Sequence, residues 1–273
     1  DMSPLRPQEA VVHNAALNST GAVSFMEIYS LTTGLIGQAG RRGALMLTID
    51  VKHPEVFNFI NVKRIPNWVT RQIADQCKWS NLFNDSQINE IERQVRENTQ
   101  VRFANISVKI TDEFMNAVQE QLNYGSNKIL VYKRFKDDTP EETRQGYIHY
   151  SFGIPAKDIN NSELMEKFDT VHELNNFLLS HKKEITENEL KDSQLRNVFG
   201  DYIIKLEDHD IAVKYSGDFL LYFNSDPTKE VKRLVKAREI WDKFISSNYK
   251  TAEPGVVFWS RMVKYSPSNY VGR

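Results

Sequence analysis

Residues 38–51 read Gln38-Ala39-Gly40-Arg41-Arg42-Gly43-Ala44-Leu45-Met46-Leu47-Thr48-Ile49-Asp50-Val51, a basic glycine turn running straight into an alternating apolar stretch. Leu45, Leu47, Ile49 and Val51 fall on one side of a two-residue period and Ala44, Met46, Thr48 and Asp50 on the other, the pattern of a strand. Upstream, Val23, Phe25, Met26, Tyr29 and Ile36 recur at helical spacing and predict a helix from Ser19 to Gln38, with Ser19 or Thr20 as its cap. Downstream, His53-Pro54-Glu55 suits a first helical turn: proline has no donor to lose there, and the carboxylate meets the positive end of the dipole. Val56, Phe57 and Ile60 of that helix would face the core.

A second strand-to-helix step follows. Val101 to Ile110 predicts a strand with Ile106, Val108 and Ile110 on one face and a bulge at Ala104-Asn105. Thr111 then caps a helix whose buried stripe is Phe114, Met115, Val118 and Leu122. Between the two steps, residues 67–98 predict a helical pair capped by Asn67 and Asp85. Two such steps in succession favour an α/β architecture, sheet or barrel. From about Gly125 to Asp226 the chain turns to short mixed-charge segments (128–134, 147–152, 201–206 and 218–223) between polar helices, which predicts an inserted small α+β subdomain. Asp226-Pro227 opens a long amphipathic helix carrying Val231, Leu234, Val235, Trp241, Phe244 and Ile245, stopped by Glu253-Pro254-Gly255. Gly255 to Met262 returns to the main core. The chain therefore divides into 1–124, 125–226 and 227–273.

With 273 residues and 40% apolar content there is enough chain for a sizeable core. Thirty-five basic against 36 acidic side chains give no overall pull toward nucleic acid or anionic lipid, so any phosphate site must be local. One cysteine, Cys77, excludes an internal disulfide framework and fits a reducing cytoplasm. No stretch is apolar for long enough to span a bilayer. Asp1-Met2-Ser3-Pro4 has no signal-peptide character and reads as a cut edge.

The six histidines lack metal-ligand spacing and read mostly as surface residues, so no metal site is expected. No Gly-x-Ser-x-Gly elbow occurs, and Cys77, mid-helix and partly buried by expectation, is a poor nucleophile. Trp68, Trp79, Trp241 and Trp259 read as core or interface. Gly34, Gly37, Gly40 and Gly43 fall three apart around two arginines, a pattern that suits phosphate or base contacts. A Walker loop would need Gly-Lys-Ser/Thr, and a dinucleotide fingerprint would follow a strand rather than precede one. On these residues alone, a solvated turn needing glycine for positive φ is the favoured account.

Several ordered stretches carry a resemblance. Ser3-Pro4-Leu5-Arg6-Pro7, Ser19-Thr20-Gly21-Ala22-Val23-Ser24-Phe25-Met26, Gly40-Arg41-Arg42-Gly43-Ala44-Leu45-Met46 and Arg102-Phe103-Ala104-Asn105-Ile106-Ser107-Val108 resemble the large subunit of ribonucleotide reductases. Ile110-Thr111-Asp112-Glu113-Phe114-Met115, Ala237-Arg238-Glu239-Ile240-Trp241-Asp242-Lys243 and Ala252-Glu253-Pro254-Gly255-Val256-Val257-Phe258-Trp259 continue it to Ser266-Pro267-Ser268, and the wording is that of the adenosylcobalamin-dependent class. The resemblance implies part of a ten-stranded α/β barrel, radical replacement of a ribose 2′-hydroxyl by hydrogen, adenosylcobalamin as cofactor and a thiol reductant. It also implies a deoxynucleoside triphosphate effector at a helical dimer interface, here the helix 22–37 of a homodimer. By position, residues 3–20 resemble the family's first effector loop and 38–44 its second. Arg6 would approach effector phosphates, and Gln38, Gly40, Arg41, Arg42, Gly43 and Ala44 would carry base identity from effector to ribonucleotide substrate.

The family's Asn-Pro-Cys-Gly-Glu loop should begin shortly after Ser266 to Asn269, and its other redox cysteines should lie outside residues 1–273. Cys77 matches none of them. The resemblance thus implies an internal piece of a reductase with no catalytic residue of its own and no activity in isolation; the alternative is a non-catalytic nucleotide-binding regulatory module derived from that family.

Overall fold

The computed structural model describes residues 1–8, 10–12, 17–36, 43–65, 67–97, 100–134, 154, 157, 159, 162–224 and 230–266. Helix α1 (Ala22–Leu35) leads to β1 (Met46–Asp50), α2 (Val56–Asn61), the helical pair α3 (Asn67–Ser80) and α4 (Asp85–Glu97), then β2 (Asn105–Ile110) and α5 (Asp112–Tyr124). Strands β3 (Ile129–Arg134) and β4 (Ser162–Phe168) precede α6 (Val171–Leu178), α7 (Glu187–Lys191), β5 (Tyr202–Lys205) and β6 (Asp210–Tyr215). A hairpin of β7 (Asp218–Asn224) and β8 (Glu230–Lys236) runs into α8 (Ala237–Thr251), β9 (Gly255–Phe258) and α9 (Trp259–Lys264).

The architecture is mixed α/β. Strands β1, β2 and β9 form a parallel sheet in that order, with Ile49 opposite Val108 and Val108 opposite Val256. Parallel neighbours need helical crossovers, and α2 to α4 supply the first while α5 begins the second. One face of this sheet is apolar: Leu47, Ile49, Ile106, Val108 and Ile110 pack with Met26 of α1, Phe59 of α2, Phe114 of α5 and Ile240 of α8. Fully burying each such side chain contributes about 1.5–3 kcal/mol. The other face carries Thr48, Asp50, Ser107 and Lys109, of which the last three are buried. The described strands form no closed barrel.

A second, antiparallel sheet has the order β4-β3-β6-β5 and its own core of Ile129, Val131, Leu174, Leu178, Leu190, Ile211 and Val213. Its helices start on local signals: Thr170 with Glu173, and Thr186 with Glu189, each form a reciprocal capping box. Hairpin β7–β8 sends Phe219 and Leu221 into the first core instead, and Tyr222 N donates to Lys52 O at 2.9 Å.

Several expectations need correction. Residues 230–236 are strand β8 rather than the start of the long helix, because they pair with β7 from Asp218↔Lys236 to Asn224↔Glu230; the helix is α8 alone, and its Ile245 is exposed. Residues 101–104 form a turn, not a bulged strand: Val101 has φ 58°, and the amides of Val101 and Phe103 donate to Glu27 and Ser30 of α1 instead of to a neighbouring strand. Asn84, not Asp85, caps α4, in a reciprocal pair with Gln87. Thr111 does cap α5, accepting from Phe114 N at 3.3 Å, but Leu122 is exposed. Trp68 and Trp79 are also exposed on α3. The 147–152 segment lies outside the described residues.

Candidate functional site

The start of α1 is where the local reading falls short. Neither Ser19 nor Thr20 caps it; the N-cap is Gly21, at φ 96°, with no side-chain cap of its own. The first free amide is taken by a residue 33 positions away, since Glu55 Oε2 accepts from Ala22 N. The nearby Val23 and Gln8 amides and the Asn58 side chain also favour the charged form of that carboxylate. Burial raises the Glu55 carboxyl above its ordinary value, and these donors pull it back. Glycine is required at 21 because a Cβ there would lie 2.4 Å from Glu55 Oε1, besides the positive φ.

His53 anchors the same corner. Its Nε2 lies 2.9 Å from Leu5 O and its Nδ1 accepts from Glu55 N at 3.1 Å. A carbonyl cannot donate, so the proton sits on Nε2 and the ring is neutral. Burial lowers its pKa from 6.5 to about 4, against the pull of the Leu5 carbonyl and with help from the Lys109 charge. The six histidines read mostly as surface residues, but His53 is fully buried, covered by the N-terminal segment and by Phe223, whose ring centroid is 5.4 Å away.

The N-terminal segment is stitched to β1 throughout. Met2 N donates to Thr48 O at 2.7 Å, Asp50 N to Ser3 Oγ at 2.8 Å, and Lys109 Nζ to Asp1 Oδ2 at 2.9 Å. Two buried charges, Asp50 and Lys109, face each other across the β1–β2 register; burial raises the Asp50 carboxyl and lowers the Lys109 ammonium, each partner opposing the other's shift.

Of the residues singled out in sequence, Arg6 is exposed at the first loop, its carbonyl accepting from Ser19 Oγ at 3.3 Å. Gly43 and Ala44 are exposed at the far end of α1; a Cβ on Gly43 would sit 2.9 Å from Thr33 Cγ2. Gln38, Gly40, Arg41 and Arg42 lie outside the described residues. The two loop ends thus flank α1, about 20 Å apart for a helix of this length. Along it, Ala22, Met26 and Ser30 are buried, while Phe25, Ile28, Leu31 and Leu35 point the other way and are exposed. A helix apolar on both faces has a face left to cover. Cys77 is half-buried on α3, as expected, and among the described residues no group of His, Cys, Asp and Glu is placed to hold a metal.

The parallel three-stranded sheet, with helices between its strands and buried polar residues on one face, defines an α/β domain. The chain belongs to the ribonucleotide reductase barrel-domain family, whose model matches residues 1–272. It is 25% identical over 246 residues to the vitamin B12-dependent ribonucleotide reductase of Bradyrhizobium diazoefficiens, a match covering 89% of this chain and 17% of that protein. With the vitamin B12-dependent ribonucleotide reductase of Rhodopirellula baltica the figures are 29% over 131 residues, 47% of this chain and 12% of the relative. The vitamin B12-dependent ribonucleoside-diphosphate reductase of Thermoplasma acidophilum is 41% identical over 68 residues, 24% of this chain and 9% of the relative. The matched segment is thus under a fifth of the length of these relatives, and their names support the cobalamin class read from the motifs.

Proposed function

We propose that this chain is the part of a cobalamin-dependent ribonucleotide reductase that carries its allosteric specificity loops, in an enzyme that converts ribonucleotides to deoxyribonucleotides. The observation that supports it most is α1, with an unburied apolar face and the two loop ends at its termini. A two-fold dimer through that face, with its axis across the helix, pairs the helices antiparallel and brings the first loop of one protomer beside the second loop of its partner. A deoxynucleoside triphosphate held there meets the Arg6 guanidinium as a phosphate ligand and the 38–44 loop as a base reader. Permissive glycines let that loop take a different shape for each effector and bias which ribonucleotide substrate is accepted. The ten-stranded barrel, the 125–226 insertion as a unit, and a cytoplasmic setting belong to the same reading.

Adenosylcobalamin supplies, when bound, a radical that is passed to a thiol. The donor set of this chain does not fit that role: its single thiol is Cys77, half-buried in the helix α3 and matching none of the family's cysteine positions. In this reading both the reacting cysteine and the thiols that accept the reductant's electrons come from outside these residues. The same observation favours, as a second reading, a non-catalytic nucleotide-binding module. The two separate on one experiment in the intact reductase. Arg41→Ala and Arg42→Ala should scramble which effector favours which substrate; unchanged effector–substrate coupling in both variants removes the specificity-loop assignment.

A further inference from the structure

Three pieces of the proposed effector machinery converge on two side chains that nothing in the family resemblance singles out. Glu55 accepts from the amide of Ala22, at the start of α1, and its charge is favoured by the nearby amides of Val23 and of Gln8, in the first loop. His53 bridges the Leu5 carbonyl of the same loop to the Glu55 amide. Both residues sit on the turn that leaves β1, the strand that the second loop enters, and Ser3 Oγ ties the loop to the last residue of that strand through Asp50 N. Glu55 and His53 are 5% and 0% exposed, so their contacts are made without competing water.

From this arrangement we infer that Glu55 and His53 are positioning residues that fix the shape of the first effector loop and tie it to the β1 exit, and so set effector discrimination. The inference rests on the specificity-loop reading above. It has a chemical corollary. The amides at a helix start are an ordinary seat for phosphate, but here a carboxylate already takes that of Ala22 and lies beside that of Val23. Effector phosphates are then held by loop groups such as Arg6 and not by the α1 dipole. The shape of the loop, not the helix end, decides the affinity.

Two measurements on the reductase containing this chain test it. In the first, effector titrations compare wild type with Glu55→Gln, which keeps one acceptor oxygen, Glu55→Ala, which keeps none, and His53→Gln. The half-saturating dNTP concentration should rise about tenfold in Glu55→Ala, with Glu55→Gln between it and wild type. Gly21→Ala, which forces the carboxylate off the helix start without removing it, should shift in the same direction, and serves if Glu55→Ala does not fold. Half-saturation within about twofold of wild type in Glu55→Gln and Gly21→Ala overturns the inference.

The second measurement needs no effector. Amide hydrogen exchange at Gln8 and Ala22 should be slow in wild type and faster in Glu55→Gln. Equal protection in both overturns the clamp itself. A wild-type enzyme whose substrate preference ignores every dNTP would sink the specificity-loop reading instead, with the exchange result still deciding whether the clamp exists.

Discussion

Lys52 Nζ lies 2.8 Å from Glu113 Oε1 with both side chains shielded from solvent, at 2% and 7% exposure. Lys52 leaves the end of β1 and Glu113 sits in the first turn of α5, so the pair locks the first strand-to-helix step to the second. The pair does not end there. Glu113 Oε2 accepts from Lys157 N at 2.8 Å, and Lys157 Nζ reaches Asp201 at 2.8 and 3.0 Å, next to β5 of the second sheet. Asp201 is buried, yet its carboxyl is held below the usual range: burial pushes it up, and the charges of Lys157 and Lys214 outweigh that. A chain of polar contacts, two ion pairs linked by a backbone amide, therefore runs from the first core toward the second sheet.

Removing one member of such a buried pair leaves the other uncompensated. Lys52→Met should cost about 3–5 kcal/mol in urea unfolding, because among the described residues Glu113 keeps only the Lys157 amide. Adding Glu113→Gln should recover part of that loss, since no lone charge is left. A double variant that loses the full sum of the single effects would show the pair to be uncoupled.

His53 gives a pH dependence of definite sign. The folded state holds the ring neutral with a pKa of about 4, while the unfolded chain titrates near 6.5, so between those values the unfolded state binds more protons. Stability is then complete above the unfolded value and falls as pH drops toward the folded one. Between pH 7 and pH 5 the loss should be about 2 kcal/mol. His53→Gln should flatten that part of the stability curve; a wild-type curve that is level from pH 7 to pH 5 would contradict the neutral, doubly bonded ring.

The sequence disclosed the strand-to-helix steps because their signals are local: alternation in residues 45–51 and Thr111 before an amphipathic run. It misled at β8, where Val231, Leu234 and Val235 have a spacing that serves a helix as well as a strand. Only pairing with β7 decides between them. The α1 cap was hidden for the same kind of reason, since its acceptor lies 33 residues downstream. The burial of His53 was not legible because nothing in its neighbours announces that the N-terminal segment folds over it. Among the singled-out loop residues, Arg6, Gly43 and Ala44 fall beside α1, and the other four lie outside the described residues.

Gly34 tests a close approach that a helix propensity scale would miss. Alanine normally favours a helix interior over glycine by about 1 kcal/mol. Here a Cβ would fall 2.4 Å from the Phe103 ring, and Phe103 is held by its amide on Ser30 Oγ at 3.0 Å. Gly34→Ala should therefore lower stability by about 1–3 kcal/mol, as overpacking does, in spite of the propensity gain. A rise in melting temperature would mean that the 101–104 turn can move away from α1 at no cost.

The outward face of α1 makes the sharpest statement about assembly. Ile28, Leu31 and Leu35 are 60%, 53% and 76% exposed on one side of a helix whose other side is packed on the core. If a second copy covers them, sedimentation should detect a dimer whose dissociation constant rises steeply with Ile28→Glu, because a charge at the centre of the patch would have to be buried opposite its own symmetry mate. Ile28→Glu makes no contact with the buried stripe of Met26 and Ser30, so the monomer's unfolding midpoint should stay close to that of wild type. Effector binding should weaken in the same variant, since the proposed site is completed across the two-fold axis. A variant that stays dimeric, or one that becomes monomeric with effector affinity intact, would separate the helix from the effector site and remove the interface from the mechanism.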